Sequence, residues 1–191
     1  MNKSRLEAFS DGVIAIIITI MVLELKLPNG SDLSSLRPLV PVFISYILSF
    51  VFVGIYWSNH HHLIQTVSKV TGSILWANLH LLFWLSLIPF CTKWMGVNGF
   101  TSTPVALYGI VLICAALSYF VLVQILIYHH GKDSVLAKAV GKGKKEILSI
   151  AIYALGIFLS FYSSILAYSL YAVVAIMWLI PDRRIEKILS K

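Results

Sequence analysis

The stretch that decides the fold is Arg5–Leu27, RLEAFSDGVIAIIITIMVLELKL. Its central part, residues 12–23, contains no charged side chain, and Glu24 and Pro28 follow directly behind it. As an α-helix the whole stretch is roughly 33 Å long, enough to cross a hydrocarbon core of about 30 Å. It therefore predicts a first transmembrane helix, with boundaries near residues 4 and 27.

The first two turns of this helix are unusually polar, because they carry Arg5, Glu7, Ser10 and Asp11. A charged side chain costs about 3 kcal/mol near the centre of a bilayer, and less near its surface, unless a partner meets it. One interpretation is an ion-paired helix start at the interface, where an acidic residue also suits a helix N-terminus. The other is a polar network that fixes helix 1 against helices 2 and 3.

The composition places the whole chain in a membrane. Of its 191 residues, 59% are hydrophobic and 12% are charged, and the mean hydropathy is +0.87. Soluble domains average about 25% charged residues, so we predict an all-α, integral membrane protein with one domain, residues 1–191. Cys91 and Cys114 lie in separate apolar stretches and indicate neither a disulfide framework nor a metal site.

Hydrophobic stretches and turn signals divide the chain into six predicted transmembrane helices. The uncharged stretch 147–180 would be roughly 51 Å long as a single helix, so we divide it at Phe161–Ser164. The predicted helices cover approximately residues 4–27, 38–65, 73–91, 104–128, 145–161 and 164–180.

The net charge of +7 has a topological explanation. With six spans, most basic residues fall on one side: those of the N-terminus, Lys69, the lysine-rich stretch 132–145 and the tail 183–191. Only Lys26, Arg37 and Lys93 fall on the other side. The positive-inside rule then places both termini in the cytoplasm. The basic character therefore indicates membrane topology and no nucleic-acid partner.

Helices 2 and 3 supply polar side chains at the depth of the start of helix 1. Trp57, Asn59, His60 and His61 lie near the cytoplasmic end of helix 2, and Asn78 lies near the start of helix 3. We expect these residues to complete the polar network. The run 60–62 is an improbable metal site, because consecutive residues on a helix point about 100° apart. No catalytic constellation is visible, so we predict neither an enzyme, a metal nor a cofactor.

The uncharged part of helix 1 has a distinct apolar face. Ile16, Ile20, Leu23 and Leu27 lie along one stripe, with Thr19 on its edge. These side chains either face lipid and neighbouring helices or form the wall of a pore. Around an oligomer axis the stripe would make a hydrophobic constriction, and Glu24 would lie at the outer mouth, where it would favour cations.

The first-helix sequence resembles the R-x-x-x-F-S-D signature of the transmembrane protein 175 family of potassium channels, at Arg5, Phe9, Ser10 and Asp11. The segment 57–61, with its W-x-N-H-H pattern, also resembles that family. The resemblance implies a homotetramer with a central pore lined by helix 1 and a signature network between helices 1, 2 and 3. It implies a constriction at Ile16 and further pore-facing layers at Thr19 or Ile20 and at Leu23.

Three functional hypotheses follow from these patterns. The first is a potassium-permeable, multi-pass channel of the cell membrane, with K⁺ as the permeant ion and identical chains as partners. The second is a proton-coupled transporter or proton leak that uses Asp11 and the histidines of helix 2. The third is a structural membrane protein that conducts nothing.

Overall fold

A computed structural model describes residues 2–131, 134, 137 and 144–179, and these residues form helices and no strands. The predicted all-α class is therefore confirmed. The α-helices are α1 (Lys3–Leu23), α2 (Val40–Gln65), α3 (Gly72–Ser86), α4 (Ile88–Val97), α5 (Ser102–His130), α6 (Lys144–Leu159) and α7 (Ser164–Leu179). A 3₁₀ helix, Leu33–Leu39, leads into α2.

Helix α1 ends at Leu23, four residues earlier than predicted. The residue before a proline avoids the helical region, so Pro28 opposes a helix through Leu27. Residues 25–28 lie outside any helix, and Leu27 does not continue the stripe of Ile16, Ile20 and Leu23. The apolar face of the helix is therefore one turn shorter than the sequence pattern indicates.

The third predicted helix, 73–91, is two helices that meet at Leu87. A proline has no N–H to donate to the carbonyl four residues back, and its ring clashes with that carbonyl. Pro89 therefore interrupts the hydrogen bonding after α3 and is accommodated in the first turn of α4. Helix α4 continues to Val97, six residues beyond the predicted end at residue 91.

Four helical segments are long and apolar enough to cross a membrane: Lys3–Leu23, Leu33–Gln65, Gly72–Val97 and Ser102–His130. Helices α6 and α7 have 16 residues each, or about 24 Å of rise. The count of six spans therefore stays a prediction. The lysines between α5 and α6 and the basic tail that orient the predicted topology lie almost entirely outside the described residues.

Helix α1 packs on α2, α3 and α4, whereas α6 and α7 pack on α5, on α2 and on each other. The side chain of Lys3 donates a hydrogen bond to the carbonyl oxygen of Gln65 at 2.6 Å, so the start of α1 meets the end of α2. The two outer helices make no comparable contact with α1. The chain thus forms an inner layer around α1 and an outer layer beyond α5.

A buried polar layer ties α2, α4 and α5 together. The Thr92 hydroxyl donates to Ser49 Oγ at 2.6 Å, and Ser49 shares a 2.9 Å hydrogen bond with the Tyr108 hydroxyl. Buried hydroxyls in an apolar interior need such partners, because an unpaired polar group there is costly. The layer therefore fixes the rotation of α2 and α4, two of the helices on which α1 packs, relative to α5.

We expect Gly96→Ala to lower the free energy of unfolding by about 1–3 kcal/mol, because overpacking a close helix contact forces the backbone to shift. A Cβ at position 96 would lie 2.8 Å from the Cα of Val42 on α2. The matched control is Gly54→Ala, since a Cβ there meets nothing within 4 Å. Thermal unfolding in detergent measures both, and equal melting temperatures would contradict the close contact of α2 with α4.

Candidate functional site

Helix α1 has two faces with opposite surroundings. Its buried face packs into the protein and consists of Leu6, Ser10, Ile14, Ile17 and Met21. Its other side, here called the open face, is exposed and consists of Phe9, Gly12, Ala15, Ile16, Thr19, Ile20 and Leu23. No element among the described residues of the chain covers the open face. A helix of this composition is therefore anchored along one side only.

The predicted constriction residues all lie on the open face. Ile16 is 58% exposed and Leu23 is 76% exposed, although both are large and apolar. Thr19 donates its hydroxyl hydrogen to the carbonyl oxygen of Ala15 at 2.9 Å, which leaves the hydroxyl oxygen available as an acceptor. The open face thus presents aliphatic side chains and one oxygen acceptor.

A buried hydrogen-bonded chain joins α1, α3 and α2 behind this face. Asn78 Nδ2 donates to Ser10 Oγ at 2.9 Å, and Asn78 Oδ1 lies 2.7 Å from His60 Nε2. Because an amide oxygen only accepts, His60 carries its proton on Nε2. Ser10 in turn donates to the Leu6 carbonyl at 2.9 Å. The predicted association of Ser10, His60 and Asn78 is therefore present within the chain.

A second set of contacts lies nearer the end of the bundle. Trp57 Nε1 donates to Asp11 Oδ1 at 3.1 Å, and His61 Nδ1 lies 3.1 Å from Glu7 Oε1. The Gln65 amide nitrogen lies 2.8 Å from His61 Nε2 and can only donate. His61 therefore accepts on Nε2 and donates from Nδ1 to Glu7. Both acidic side chains of the first turns find partners on α2.

Three predicted network residues are not joined to it. Arg5 and Phe9 are exposed on the side of α1 that faces away from α2 and α3. Asn59 donates from Nδ2 to the Ile55 carbonyl of its own helix at 2.9 Å, and the Tyr119 hydroxyl donates to the Asn59 carbonyl at 3.4 Å. Asn59 thus faces α5 and not α1.

Glu24 forms an ion pair with Lys93 of α4. Both side chains are about 40% exposed, so this pair lies at the surface, at the end of α1 opposite to the polar network. The Lys93 ammonium offsets the negative charge that a lone Glu24 carboxylate would present at this end of α1. Pairing also explains how α1 is fastened at its second end.

Two contacts at the start of α1 were not predicted from the sequence: the pairing of Glu7 with His61 and that of Lys3 with the end of α2. The sequence did contain an indication of the Glu7 contact: Glu7 precedes Asp11 by four residues and so lies beside it on the helix.

Among the described residues, no three His, Cys, Asp or Glu side chains are placed to hold a metal ion.

We expect Asn78→Ala to destabilise the protein by about 1–3 kcal/mol. The substitution removes both interhelical hydrogen bonds and leaves the buried His60 N–H without an acceptor. Asn29→Ala is the control, because Asn29 is exposed in the connection after α1 and its side chain makes no hydrogen bond to any described residue. Thermal unfolding in detergent measures the difference. Similar melting temperatures for the two variants would mean that Asn78 does not hold α1 in place.

The segment that carries this geometry also carries the similarity to known proteins. A family model described as endosomal/lysosomal potassium channel TMEM175 matches residues 5–89, which run from α1 into α4. A potassium channel of Chryseobacterium sp. (strain P1-3) is 58% identical over 191 residues, 100% of both chains. The similarity to that relative therefore extends over the outer helices too.

The helical arrangement matches a solved structure. The crystal structure of a lysosomal potassium-selective channel TMEM175 homolog from Chamaesiphon minutus superimposes with a TM-score of 0.81 at 28% identity, covering 94% of this chain and 97% of that one. An endosomal/lysosomal proton channel TMEM175 of Gallus gallus is 37% identical over 83 residues, 37% of this chain and 17% of that protein.

Proposed function

Because this chain belongs to the TMEM175 family of potassium channels, we propose that potassium ions cross the membrane along the open face of α1, in a central pore between four identical chains. Membership makes the chain a potassium-permeable channel of a membrane and implies that it is not an enzyme. The cell membrane as its location, the homotetramer and the pore-lining residues are parts of the proposal.

The observation that carries this proposal is the contrast between the two faces of α1. The buried face is anchored by Ser10, and no described part of the chain covers the open face, although Ile16, Ile20 and Leu23 lie on it. An exposed apolar face is also expected of a helix that only contacts lipid. In α1, however, the acidic side chains at the start of the helix are held inward by α2. Four copies of this helix around an axis would enclose an apolar passage with no charged side chain between residues 12 and 23.

In such a passage the narrowest ring is formed by Ile16, with Thr19, Ile20 and Leu23 as successive layers. One turn of helix rises about 5.4 Å, so rings at 16, 19 or 20, and 23 stack one turn apart. A hydrophobic constriction limits conduction because an ion must lose water to pass it. The Thr19 hydroxyl oxygen supplies an acceptor at the second layer, and Glu24 lies beyond the last.

The polar network contributes by holding the pore helix at a set rotation. Its hydrogen bonds reach α1 at Ser10 from α3 and at Asp11 from α2. Both contacts lie on the turns just before the first apolar ring. A rotation of α1 would break these hydrogen bonds and turn Ile16 away from the pore axis. The network therefore determines which side chains of α1 face the ion.

The experiment that tests this proposal measures ion flux from liposomes that contain the purified protein, first under a potassium gradient and then under a sodium gradient. We expect potassium flux well above sodium flux, and a mass of four chains in chemical cross-linking. A folded protein of another stoichiometry would contradict the four-fold pore. Equal potassium and sodium fluxes would contradict selectivity at Ile16 and Thr19, although they would still be consistent with a pore for cations.

A second candidate function, a proton pathway, is favoured by the pairing of Asp11 with Trp57 and of Glu7 with His61. It is also the function named for the animal relatives. A proton pathway requires side chains that take up and release protons, so it predicts proton flux that is lost in Asp11→Asn. Potassium flux that persists in the same variant, with proton flux unchanged, would contradict this candidate.

A further inference from the structure

An ion pair lies at the end of α1 opposite to the polar network. Glu24 caps α1 there, and its backbone N–H donates to the Ile20 carbonyl oxygen at 3.1 Å. Glu24 directly follows Leu23, the last apolar layer on the open face. Its carboxylate pairs with the ammonium group of Lys93 on α4. Two opposite charges therefore lie immediately beyond the last ring of the proposed pore.

The side chain of Glu24 leaves α1 at the border between the open and the buried face. Successive residues on a helix are about 100° apart, so Glu24 lies about 80° from Ile16, whereas Leu23 lies only about 20° from Ile16. The Glu24 side chain is 39% exposed, which gives it room to turn. Its charge lies against α4 or turns toward the open face, depending on what holds the carboxylate.

The position of Lys93 is set by the buried side of α4. The preceding residue, Thr92, is hydrogen-bonded to Ser49 of α2 at 2.6 Å, and Met95 is 0% exposed. These contacts hold α4 at one rotation, and α4 packs on α1. Lys93 therefore meets Glu24 on the α4 side of α1 and draws the carboxylate away from the open face.

The other charged residues at this end of the described chain do not replace Lys93. They are Lys26, Asp32 and Arg37, and none of them makes an ion pair with a described residue. Lys26 lies two residues beyond Glu24, but it is exposed in the segment that follows the helix. Among the described residues, Lys93 is thus the cation that both offsets the charge of Glu24 and determines where that charge lies.

Apolar packing holds the same end of α1 independently of the ion pair. Met21, which precedes Glu24 by nearly one turn, is 2% exposed and lies in a narrow space with Val42 of α2 and Pro89 of α4. Exposed ion pairs contribute little to stability. Replacement of Lys93 should therefore leave α1 in place and change only the charge at its end.

We propose that Lys93 is a positioning residue for ion conduction: it holds the Glu24 carboxylate on the α4 side of α1 and offsets its charge, which limits the attraction of cations to this mouth of the pore. The inference rests on the proposed function, because it takes the open face of α1 as the path of the ion. A charge at a pore mouth raises the local concentration of the opposite ion. Without Lys93, the carboxylate is uncompensated and free to turn toward the entrance.

The test measures potassium current through the full-length protein in planar bilayers, in symmetrical KCl at about 0.01 M and at about 1 M. The Debye length is about 30 Å at the lower and about 3 Å at the higher concentration, so chiefly the low-salt current responds to Glu24. The ratio of the two currents in one membrane is independent of the amount of protein. We expect Lys93→Met to raise this ratio about threefold to tenfold and Lys93→Arg to keep it. An unchanged ratio in Lys93→Met would overturn the proposal.

Glu24→Gln separates positioning from the simple effect of a charge. If Lys93 only added a positive charge, Lys93→Met would change the ratio by the same factor with and without Glu24→Gln. We expect a factor about threefold larger when Glu24 is present, because only then does a carboxylate gain freedom. Lys26→Met is the matched control, since it removes the same charge near Glu24, and its factor should be equal in both backgrounds. Equal factors for Lys93→Met would overturn the positioning role.

A carbodiimide cross-link tests the ion pair without any current. The reagent condenses a carboxylate with an adjacent amine to an amide and itself takes up the water. Mass spectrometry of the digested protein should find Glu24 linked to Lys93 and not to Lys26. A link to Lys26 instead, or no link, would overturn the proposal whatever the currents are. The expected link in a folded wild-type protein that carries no potassium current would contradict the proposed function, and with it this role of Lys93.

Discussion

Ile16→Ala is expected to increase potassium flux about tenfold and to lower the preference for potassium over sodium. The isoleucine side chain is 58% exposed on the open face of α1, so its loss would widen the proposed apolar passage without leaving a cavity in the core. A wider ring allows an ion to keep more water. Lowering a barrier by about 1.4 kcal/mol raises a rate tenfold. Flux from liposomes under potassium and sodium gradients measures both quantities.

The adjacent residue provides the control. Ile17 is 3% exposed and belongs to the buried core, so Ile17→Ala removes the same atoms from the buried face of the helix. We expect a loss of about 2–5 kcal/mol in stability, measured by thermal unfolding, and little change in selectivity of the protein that remains folded. If Ile17→Ala altered selectivity while Ile16→Ala altered only stability, the assignment of the two faces would be reversed.

Thr19→Lys is expected to reduce potassium flux by about 100-fold or more. The side chain lies on the open face one turn beyond Ile16, and an ammonium group there would lie beside the path of the ion. Two unit charges 5 Å apart repel by about 3 kcal/mol at an effective dielectric constant of 20. In a tetramer each ion would meet four such charges. Potassium flux from liposomes, measured against protein incorporated, gives the effect.

Thr19→Val is the matched variant at the same position, because valine keeps the shape of threonine and carries no charge. The Thr19 hydroxyl hydrogen is already bonded to the Ala15 carbonyl, so its loss should not unfold the helix. We expect Thr19→Val to conduct, with reduced preference for potassium if the hydroxyl oxygen meets the ion. Unimpaired flux in Thr19→Lys, with the protein correctly inserted, would show that ions do not pass this residue.

Local sequence patterns were sufficient for the helical class, because the length of an apolar run and the bilayer thickness are simple to compare. The uncharged stretch 12–23 predicts a spanning helix on that ground alone. By the same comparison α1 is predicted four residues too long, and α3 and α4 are predicted as one helix. In both places a proline opposes the helix (Pro28 and Pro89), and the apolar pattern alone does not register the effect on hydrogen bonding.

The candidate site was only partly accessible from the sequence. Depth in the membrane brings Ser10, His60 and Asn78 to the same level, and the structure joins them in one chain of hydrogen bonds. The depth of a residue in the membrane does not determine on which side of its helix the residue lies. For that reason Arg5 and Phe9 were expected in the network but lie on the exposed side of α1, and Asn59 faces α5.

The residues of α1 specify by themselves a membrane helix with a polar start and one apolar stripe, since hydrophobicity and helical periodicity are properties of the local chain. They do not specify which side of that helix is covered. That depends on where α2, α3 and α4 pack, and their packing buries Ile14 and Ile17 while leaving Ile16 and Leu23 exposed. The pairing of Glu7 with His61, 54 positions apart in the sequence, likewise arises only because α1 and α2 run antiparallel.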